Sequence, residues 1–259
     1  MVGREDLAYP TIPPRFRVRR KRHAECGYYF AIIRSMYVCL FDIDGTLLSS
    51  GGAGKHAMYA AIASAFGVEN LIDDVPFAGR TDRAIARDLF LRHGLDDSEA
   101  NWQRFVRAYL DHLPRSLASR PGCVLPGVAS LLENLHGRGD VAIGLLTGNL
   151  SDGAKTKTRH YGIGHYFRFG GFGDRHLDRN DVAREALGAA VRHLPTPIDL
   201  ERTWVIGDTP LDVRCARSIG AKILAVCTGL HSRTDLVAER PDILLDDLSD
   251  ASALLAAWT

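Results

Sequence analysis

Two aspartates directly after an apolar run carry the strongest chemical signal in this sequence. Residues 37–41 read YVCLF, and Asp42 and Asp44 follow within the sequence FDIDGT. The unbroken apolar run is typical of a parallel strand that is buried on both faces. The two carboxylates lie on the same side of an extended chain, so they repel each other unless a cation binds or one carries a proton. Such a pair suits metal-assisted nucleophilic chemistry, although the pattern alone fits an ordinary strand-end turn equally well.

A second pair of acids follows another apolar strand in the sequence WVIGDTPLD at 204–212. Asp212 comes four residues after Asp208, one turn into a predicted helix, so both carboxylates can face one site. Pro210 suits the first helical position, and Asp208 or Thr209 suits the N-cap. By itself this segment is more often a capped helix than a metal site.

A third strand end lies between these two, in the sequence VAIGLLTGN at 141–149. It offers the hydroxyl of Thr147 and, at Gly148 and Asn149, backbone N–H groups at the N-terminus of a predicted helix. Such an N-terminus is a natural site for a phosphate group. Three polar strand ends in one chain point to a single shared site.

The order DxDGT, TGN, GDxxxD resembles the haloacid dehalogenase-like (HAD) superfamily of phosphohydrolases, from about residue 36 to the C-terminus. The resemblance implies that Asp42 is the nucleophile, which forms an aspartyl-phosphate, and that Asp44 is the general acid and base. It implies that Thr147 holds the transferring phosphoryl group and that Asp212 supports the metal from outside its direct ligands. The implied cofactor is Mg²⁺, with its site formed by Asp42, the backbone carbonyl of Asp44, Asp208 and Asp212.

Other residues are candidates for contact with the substrate. Arg80, in the sequence FAGRTD at 77–82, could bind an anionic group, although an exposed arginine at a helix start is the more common case. We expect the substrate to be contacted by Thr46, Gly148, Asn149 and Arg80.

The superfamily also places a cation on the phosphoryl group, commonly the lysine of a Lys-Pro pair, and this sequence departs from that pattern. Arg179, at the end of a glycine-rich loop over 170–179, occupies roughly the position of that lysine. Lys157 is the rival, about two turns along the helix after Thr147 and so farther from the strand ends. Either could be a solvated surface cation. We favour Arg179 and leave the assignment open.

The surrounding elements predict an α/β fold. Three helical patterns end at Gly67, Gly94 and Pro114 with no strand among them. We therefore expect an all-helical insert at 51–120 after a flexible break at 49–54, which matches a cap of the superfamily.

Alternating strands and helices resume after this insert, so a doubly wound parallel sheet forms the core, with its site at the carboxyl ends of the strands. The expected helices are 55–66, 81–93, 97–113, 128–137 and one from about Asn180, and the later strands lie near 141–146, 166–169, 203–207, 222–227 and 242–245. The resemblance places the first strand between those that carry Thr147 and Asp208. The expected core is 36–50 with 121–259.

Composition sets the protein class. The 259 residues are 46% hydrophobic, enough for a full core and a smaller second domain. Five cysteines without a CxxC pair favour reduced thiols in a cytoplasmic protein, and no apolar run is long enough to cross a membrane. We expect a monomer or a homodimer.

Charge is concentrated at the start of the chain. Residues 1–35 hold eight Lys or Arg and three Asp or Glu, so their net charge is +5. The basic cluster at 15–22 could be a nucleic-acid arm or a targeting segment. We favour a disordered extension that arises from a misassigned start upstream of Met36, and we do not expect nucleic-acid binding.

Together these features predict a Mg²⁺-dependent phosphatase that acts on a small phosphomonoester, with phosphoglycolate-like compounds or sugar phosphates the first candidates. A phosphomutase of the same superfamily would need the same residues. A non-catalytic phospholigand-binding protein is the alternative from another class, and the intact acids at every motif argue against it.

Overall fold

The computed structural model describes residues 36–258, so the predicted extension 1–35 lies outside the described residues. Strands and helices alternate along most of this range. In chain order the elements are β1 (Tyr37–Phe41), β2 (Leu48–Ser49), α1 (Ala53–Phe66), α2 (Asp82–Arg92), α3 (Glu99–Ser119), β3 (Cys123–Val124), α4 (Val128–His136), β4 (Val141–Leu146), α5 (Ser151–His160), β5 (Gly170–Gly171), α6 (Arg179–His193), β6 (Thr203–Gly207), α7 (Pro210–Ser218), β7 (Lys222–Val226), α8 (Arg233–Ala238), β8 (Ile243–Leu245) and α9 (Ser252–Ala256).

Six of the strands form a parallel sheet in the order β5-β4-β1-β6-β7-β8. Alternate residues of β1 pack into different hydrophobic clusters, Cys39 and Phe41 on one face and Val38 and Leu40 on the other. Both faces of the central strand are therefore covered by helices, which explains why its sequence has no polar alternation. The predicted α/β fold and the central place of β1 between β4 and β6 are confirmed.

Residues 53–119, which we call the helical segment, form a hydrophobic cluster that also includes Leu150 of the core. The helices α1 and α3 pack against each other along their lengths, with Phe105 and Tyr109 of α3 stacked 6.1 Å apart. The predicted end of the third helix at Pro114 is wrong, because α3 continues through this proline to Ser119. Leu113 and Leu117 are buried on either side of it, and their packing offsets the backbone hydrogen bond that proline cannot donate.

Two further expectations about local structure are wrong. The strand expected near 166–169 lies later in the chain: a 3-10 turn at Gly164–Tyr166 precedes it, Phe169 already accepts a hydrogen bond from Leu145 of β4, and the strand itself is Gly170–Gly171. A methyl group on Gly171 would lie 2.3 Å from the carbonyl oxygen of Val182, so α6 packs too closely here for any side chain. The expected flexible break at 49–54 is a pairing of Ser49 with Cys123 followed by a tight glycine turn.

In the described part of the chain, no helix combines the length and apolar character that a membrane span requires.

Candidate active site

The order of the strands brings the three predicted motifs to one edge of the sheet. Asp42 and Asp44 follow β1, Thr147 follows β4 and Asp208 follows β6, and β4 and β6 are the two neighbours of β1. Carboxylate oxygens of Asp42, Asp208 and Asp212 all lie within 4.8 Å of one another. The predicted convergence of these acids is therefore present in the structure.

Asp42 is held rigidly at the end of β1. Its N–H donates to the carbonyl oxygen of Ile206, 2.9 Å away, and its side chain is buried. Burial, together with the smaller effect of the Asp212 carboxylate, raises the pKa of Asp42 to about 6 against the opposing effect of the guanidinium of Arg179. A cation beside Asp42 would return it to the ionised form that a nucleophile needs.

Arg179 is the first residue of α6 and is also buried. Its Nη2 lies 2.5 Å from Asp212 Oδ1 and 3.1 Å from Asp42 Oδ1, and its Nη1 donates to the carbonyl oxygen of Gly79, 3.0 Å away. Burial alone would lower the pKa of Arg179, but the two carboxylates hold it above its usual value. This guanidinium therefore joins two acids of the core to the loop before α2.

Asp44 forms an ion pair with Lys157, the other candidate cation. Lys157 Nζ lies 2.5 Å from Asp44 Oδ2, and the side-chain amide of Asn149 donates to the same oxygen at 2.9 Å. Burial tends to raise the pKa of Asp44, but the charge and hydrogen bond of Lys157 outweigh it and hold this pKa below its usual value. Lys157 is buried in spite of its place along α5, so both rival cations, and not Arg179 alone, reach the site.

Two glycines, Gly45 and Gly229, leave the space that the side chain of Asp208 occupies. Gly45 has a φ of +86°, and a methyl group there would lie 2.4 Å from Asp208 Oδ2, while one on Gly229 would lie 1.7 Å from the same oxygen. Thr46 Oγ1 donates to Asp208 Oδ1 at 2.8 Å. Burial, followed by the charges of Asp212 and Asp42, raises the pKa of Asp208 well above its usual value. Thr46, predicted to contact the substrate, contacts this acid and is not among the residues that line the cavity described below.

Asp212 accepts hydrogen bonds on both of its carboxylate oxygens. Its Oδ2 accepts from the backbone N–H and the hydroxyl of Thr209, at 2.9 and 2.7 Å, which forms a capping box at the start of α7. Its Oδ1 accepts from Arg179. Asp212 therefore orders the loop that carries Asp208 and holds the arginine.

This set of acids fits a divalent metal ion. The side chains of Asp42 and Asp208 and the backbone carbonyl of Asp44 are hard oxygen donors, the kind that Mg²⁺ prefers. Burial, and to a smaller extent repulsion between these acids, raises the pKa of Asp42 and of Asp208, and Arg179 opposes the shift only in part. A bound dication would relieve that repulsion.

A hydrogen bond joins the side chains of Thr147 and Asn149 in the segment after β4. Thr147 is fully buried, and its Oγ1 accepts from the side-chain amide of Asn149 at 2.9 Å. Gly148 and Asn149 line the cavity. Gly148 must be glycine because a methyl group there would lie 2.0 Å from the carbonyl oxygen of Arg80. The helical segment therefore meets the core directly at the predicted phosphate site.

A cavity of about 370 Å³ lies above this edge of the sheet, between the core and the helical segment. Asp42, Asp44, Asp208 and both cations line it. Arg80 lines it too, but its guanidinium contacts Asp88 at 2.7 Å and the carbonyl oxygen of Pro76 at 3.0 Å.

Two further acids, Asp82 and Asp174, contact the N-terminus of α5 and were not predicted from the sequence. Asp82 accepts a hydrogen bond from the backbone N–H of Leu150 at 2.8 Å, and Asp174 accepts from that of Ser151 at 2.9 Å. Burial raises the pKa of Asp82 to about 7, although Lys157 opposes the shift. In the sequence Asp82 looks like an acid that stabilises its own helix, and nothing local indicates that it caps α5.

Comparison with known proteins agrees with this geometry. The family model for haloacid dehalogenase-like hydrolases matches residues 39–217. A phosphoglycolate phosphatase of Synechococcus elongatus is 30% identical over 222 residues, which cover 83% of this chain and 95% of that relative. The probable phosphatase IndB of Dickeya dadantii is 25% identical, covering 82% of this chain and 90% of that relative.

Solved structures share the fold. The structure of CbbY from Rhodobacter sphaeroides in complex with phosphate has a TM-score of 0.66 at 22% identity, with coverage of 83% of this chain and 96% of that one. The family model spans more than half of the chain and includes both pairs of acids and the Thr147 strand end. The chain belongs to the haloacid dehalogenase-like hydrolase family.

Proposed function

We propose that this haloacid dehalogenase-like phosphatase hydrolyses a small phosphomonoester with the help of Mg²⁺ and through an aspartyl-phosphate on Asp42. The observation that carries the proposal is that one cavity holds Asp42, Asp44, a buried lysine and a cluster of acids suited to a metal. Phosphoryl transfer depends mainly on positioning and on neutralising the phosphoryl oxygens, and these groups supply both.

In the first step Asp42 attacks phosphorus and the ester oxygen leaves with a proton from Asp44. Asp44 is unsuited to donate a proton while Lys157 holds its pKa low. A bound phosphoryl group would accept from Lys157, whose contact with Asp44 uses only one of its three N–H donors. The negative charge of that group would offset part of the charge of the ammonium, raise the pKa of Asp44 and allow it to carry the proton. Substrate binding thus prepares the acid.

In the second step a water molecule attacks the phosphorus of the aspartyl-phosphate. Asp44, which has lost its proton to the leaving alcohol, takes a proton from this water, so inorganic phosphate and free Asp42 result. When bound, Mg²⁺ supplies positive charge to the phosphoryl oxygens. The residues that would hold it are Asp42, Asp208 and the backbone carbonyl of Asp44.

We assign different roles to the two buried cations. Lys157 faces the general acid and the cavity, so we propose it as the cation that binds the phosphoryl group. Arg179 has hydrogen bonds to Asp212, Gly79 and Leu146 and lies beside Asp42, which suits it to hold the acids in place. Sequence position favoured Arg179 as the cation that binds the phosphoryl group. The contacts support Lys157 for this role, and we propose it in place of Arg179.

We further propose that the chain divides as expected from the sequence, with a cap at 51–120 over a core of 36–50 and 121–259. The cavity between the helical segment and the strand ends supports this division. A cap of this kind excludes water during transfer and selects the leaving group. Similarity to phosphoglycolate phosphatases supports a small phosphorylated compound as the substrate.

The test is phosphate release from a panel of phosphomonoesters with Mg²⁺ and with excess chelator. We expect hydrolysis that depends on Mg²⁺ and is lost in Asp208→Ala. The matched control is Asp246→Ala, which removes a carboxylate that is 88% exposed and should keep full activity. Full activity in chelator, or in the Asp208 variant, would contradict the proposal.

A further inference from the structure

Three buried polar atoms of the cavity lining have no hydrogen-bond partner among the described residues: Tyr109 Oη, Asn149 Oδ1 and Arg179 Nε, of which only the first belongs to the helical segment. Tyr109 of α3 is fully buried, lines the cavity, and has an Oη with no hydrogen-bond partner among the described residues. Its ring is stacked on Phe105 with only 3° between the planes, so packing sets the direction of the hydroxyl. A buried hydroxyl without a partner is unfavourable, so the occupant of the cavity is expected to supply one.

The hydroxyl of Tyr109 lies on the same side of the cavity as Asp44, the proposed general acid. A methyl group on Gly54 would be 3.1 Å from Lys157 Nζ and 4.0 Å from Tyr109 Oη, and this lysine is the partner of Asp44. Burial and the nearby charges of Asp82 and Asp44 raise the pKa of Tyr109 well above its usual value, so the phenol stays protonated and donates. Because Asp44 must meet the ester oxygen, Tyr109 faces the leaving alcohol.

The lining around Tyr109 mixes apolar and polar side chains. Leu48, Met58, Phe77, Ile85 and Leu230 are apolar, whereas Lys55, Arg80 and the buried Asp82 are polar. The apolar side chains give no compensation for a second charged group on the substrate.

The two cations of the helical segment that reach the cavity are already paired. Lys55 Nζ lies 2.6 Å from Asp73 and 5.5 Å from the centre of the Phe77 ring. Arg80 is paired with Asp88. Turning either cation towards a substrate anion would exchange one ion pair for another, with little net gain.

Resting on the proposed function, we propose that the substrate is the phosphate ester of an uncharged alcohol and that Tyr109 donates a hydrogen bond to an oxygen of that alcohol. Esters whose alcohol carries a carboxylate or a second phosphate are then poor substrates. The residues of the helical segment then select the alcohol of the substrate by apolar contact and by the hydrogen bond from Tyr109.

Three small esters test the substrate class: 2-hydroxyethyl phosphate, ethyl phosphate and phosphoglycolate. The first has a hydroxyl near the position of the carboxylate of the third, and the second lacks both. We expect kcat/KM to be highest for 2-hydroxyethyl phosphate and at least about tenfold lower for phosphoglycolate, because a charge there enters an apolar surface. A kcat/KM for phosphoglycolate equal to or above that of 2-hydroxyethyl phosphate would overturn the inference.

A variant tests the hydrogen bond. Tyr109→Phe should lower kcat/KM for 2-hydroxyethyl phosphate about 3- to 10-fold, the range for one hydrogen bond, and leave ethyl phosphate within about twofold. The matched control is Tyr161→Phe, because the hydroxyl of Tyr161 is also buried without a partner but does not line the cavity. It should change neither value.

An equal effect of Tyr109→Phe on both esters, or no effect on either, would overturn the role of the hydroxyl. If this variant fails to fold, the wild-type comparison still decides the substrate class. If no ester is hydrolysed with Mg²⁺, the proposed function fails and this inference falls with it, whereas hydrolysis with a preference for phosphoglycolate removes the inference alone.

Discussion

Replacing Arg179 and Lys157 by methionine, one at a time, should separate a cation that stabilises the fold from one that serves the reaction. Arg179 has a side chain that is 5% exposed and contacts both Asp42 and Asp212. Lys157 contacts Asp44, whose side chain is 40% exposed to the cavity. Methionine removes the charge in each case and keeps part of the side-chain volume.

The structure predicts very different losses of stability. Without Arg179, buried carboxylates within 4.8 Å of one another lack a cation, and two such charges repel by roughly 3 kcal/mol at an effective dielectric constant of about 20. Breaking a buried ion pair costs about 3–5 kcal/mol, which corresponds to a fall in Tm of about 6–20 °C for a domain of this size. Without Lys157 the part-exposed Asp44 is hydrated, so we expect at most about 1 kcal/mol and a few degrees.

The assay pairs thermal unfolding in chelator at pH 8 with phosphate release at saturating Mg²⁺. For Arg179→Met we expect the large fall in Tm, with partial recovery when Mg²⁺ is added or when the pH is lowered to 5, since both relieve the repulsion. For Lys157→Met we expect a nearly unchanged Tm and a loss in kcat on the order of 10²–10³, by analogy with the removal of one preorganised oxyanion donor.

The opposite pattern would refute this reasoning. If Lys157→Met keeps nearly full activity while Arg179→Met is inactive and as stable as the wild type, the arginine binds the phosphoryl group. The assignment favoured by sequence position would then be the right one.

Three other outcomes are expected. Asp42→Asn should abolish phosphate release with little change in Tm, because the amide is nearly isosteric and cannot attack phosphorus; near wild-type release would remove Asp42 as the nucleophile. Thr147→Val should lower the rate on the order of 10²–10³, and a loss of less than about threefold would place this hydroxyl outside the phosphoryl site. The gain in Tm from Mg²⁺ should grow as the pH rises from 5 to 8. The folded pKa of Asp42 is raised to about 6, so its share of stability falls as the pH rises through that value, and the metal offsets the loss. A gain that does not change with pH would count against metal binding at these acids.

The sequence predicts the core well because local patterns and global packing agree there. The apolar run of β1 has to be buried on both faces, and the structure divides its residues between two hydrophobic clusters. Helix starts are equally local, since Thr209 and Ser98 accept hydrogen bonds from backbone N–H groups within their own first turns. Such features depend on residues close together in the chain.

Errors arise where packing outweighs a local preference. Pro114 is a strong helix breaker by itself, yet α3 passes through it because its flanks are anchored in the cluster of the helical segment. The mostly apolar residues at 166–169 resemble a strand, but the strand lies at the two glycines that follow, where α6 packs too closely against Gly171 for a side chain. Neither effect can be read from a short window of sequence.

The place of Lys157 shows why the rest of the site required a structure. Its distance from Thr147 along α5 suggested that it lies too far from the strand ends. That comparison used the helix alone, whereas the partner of Lys157 is Asp44 on the loop after β1, 113 positions away in the chain. The lysine reaches Asp44 because Gly54 of α1 leaves room for its ammonium group, where a methyl group would lie at 3.1 Å. Whether a cation reaches the site is therefore decided by how three elements pack around it.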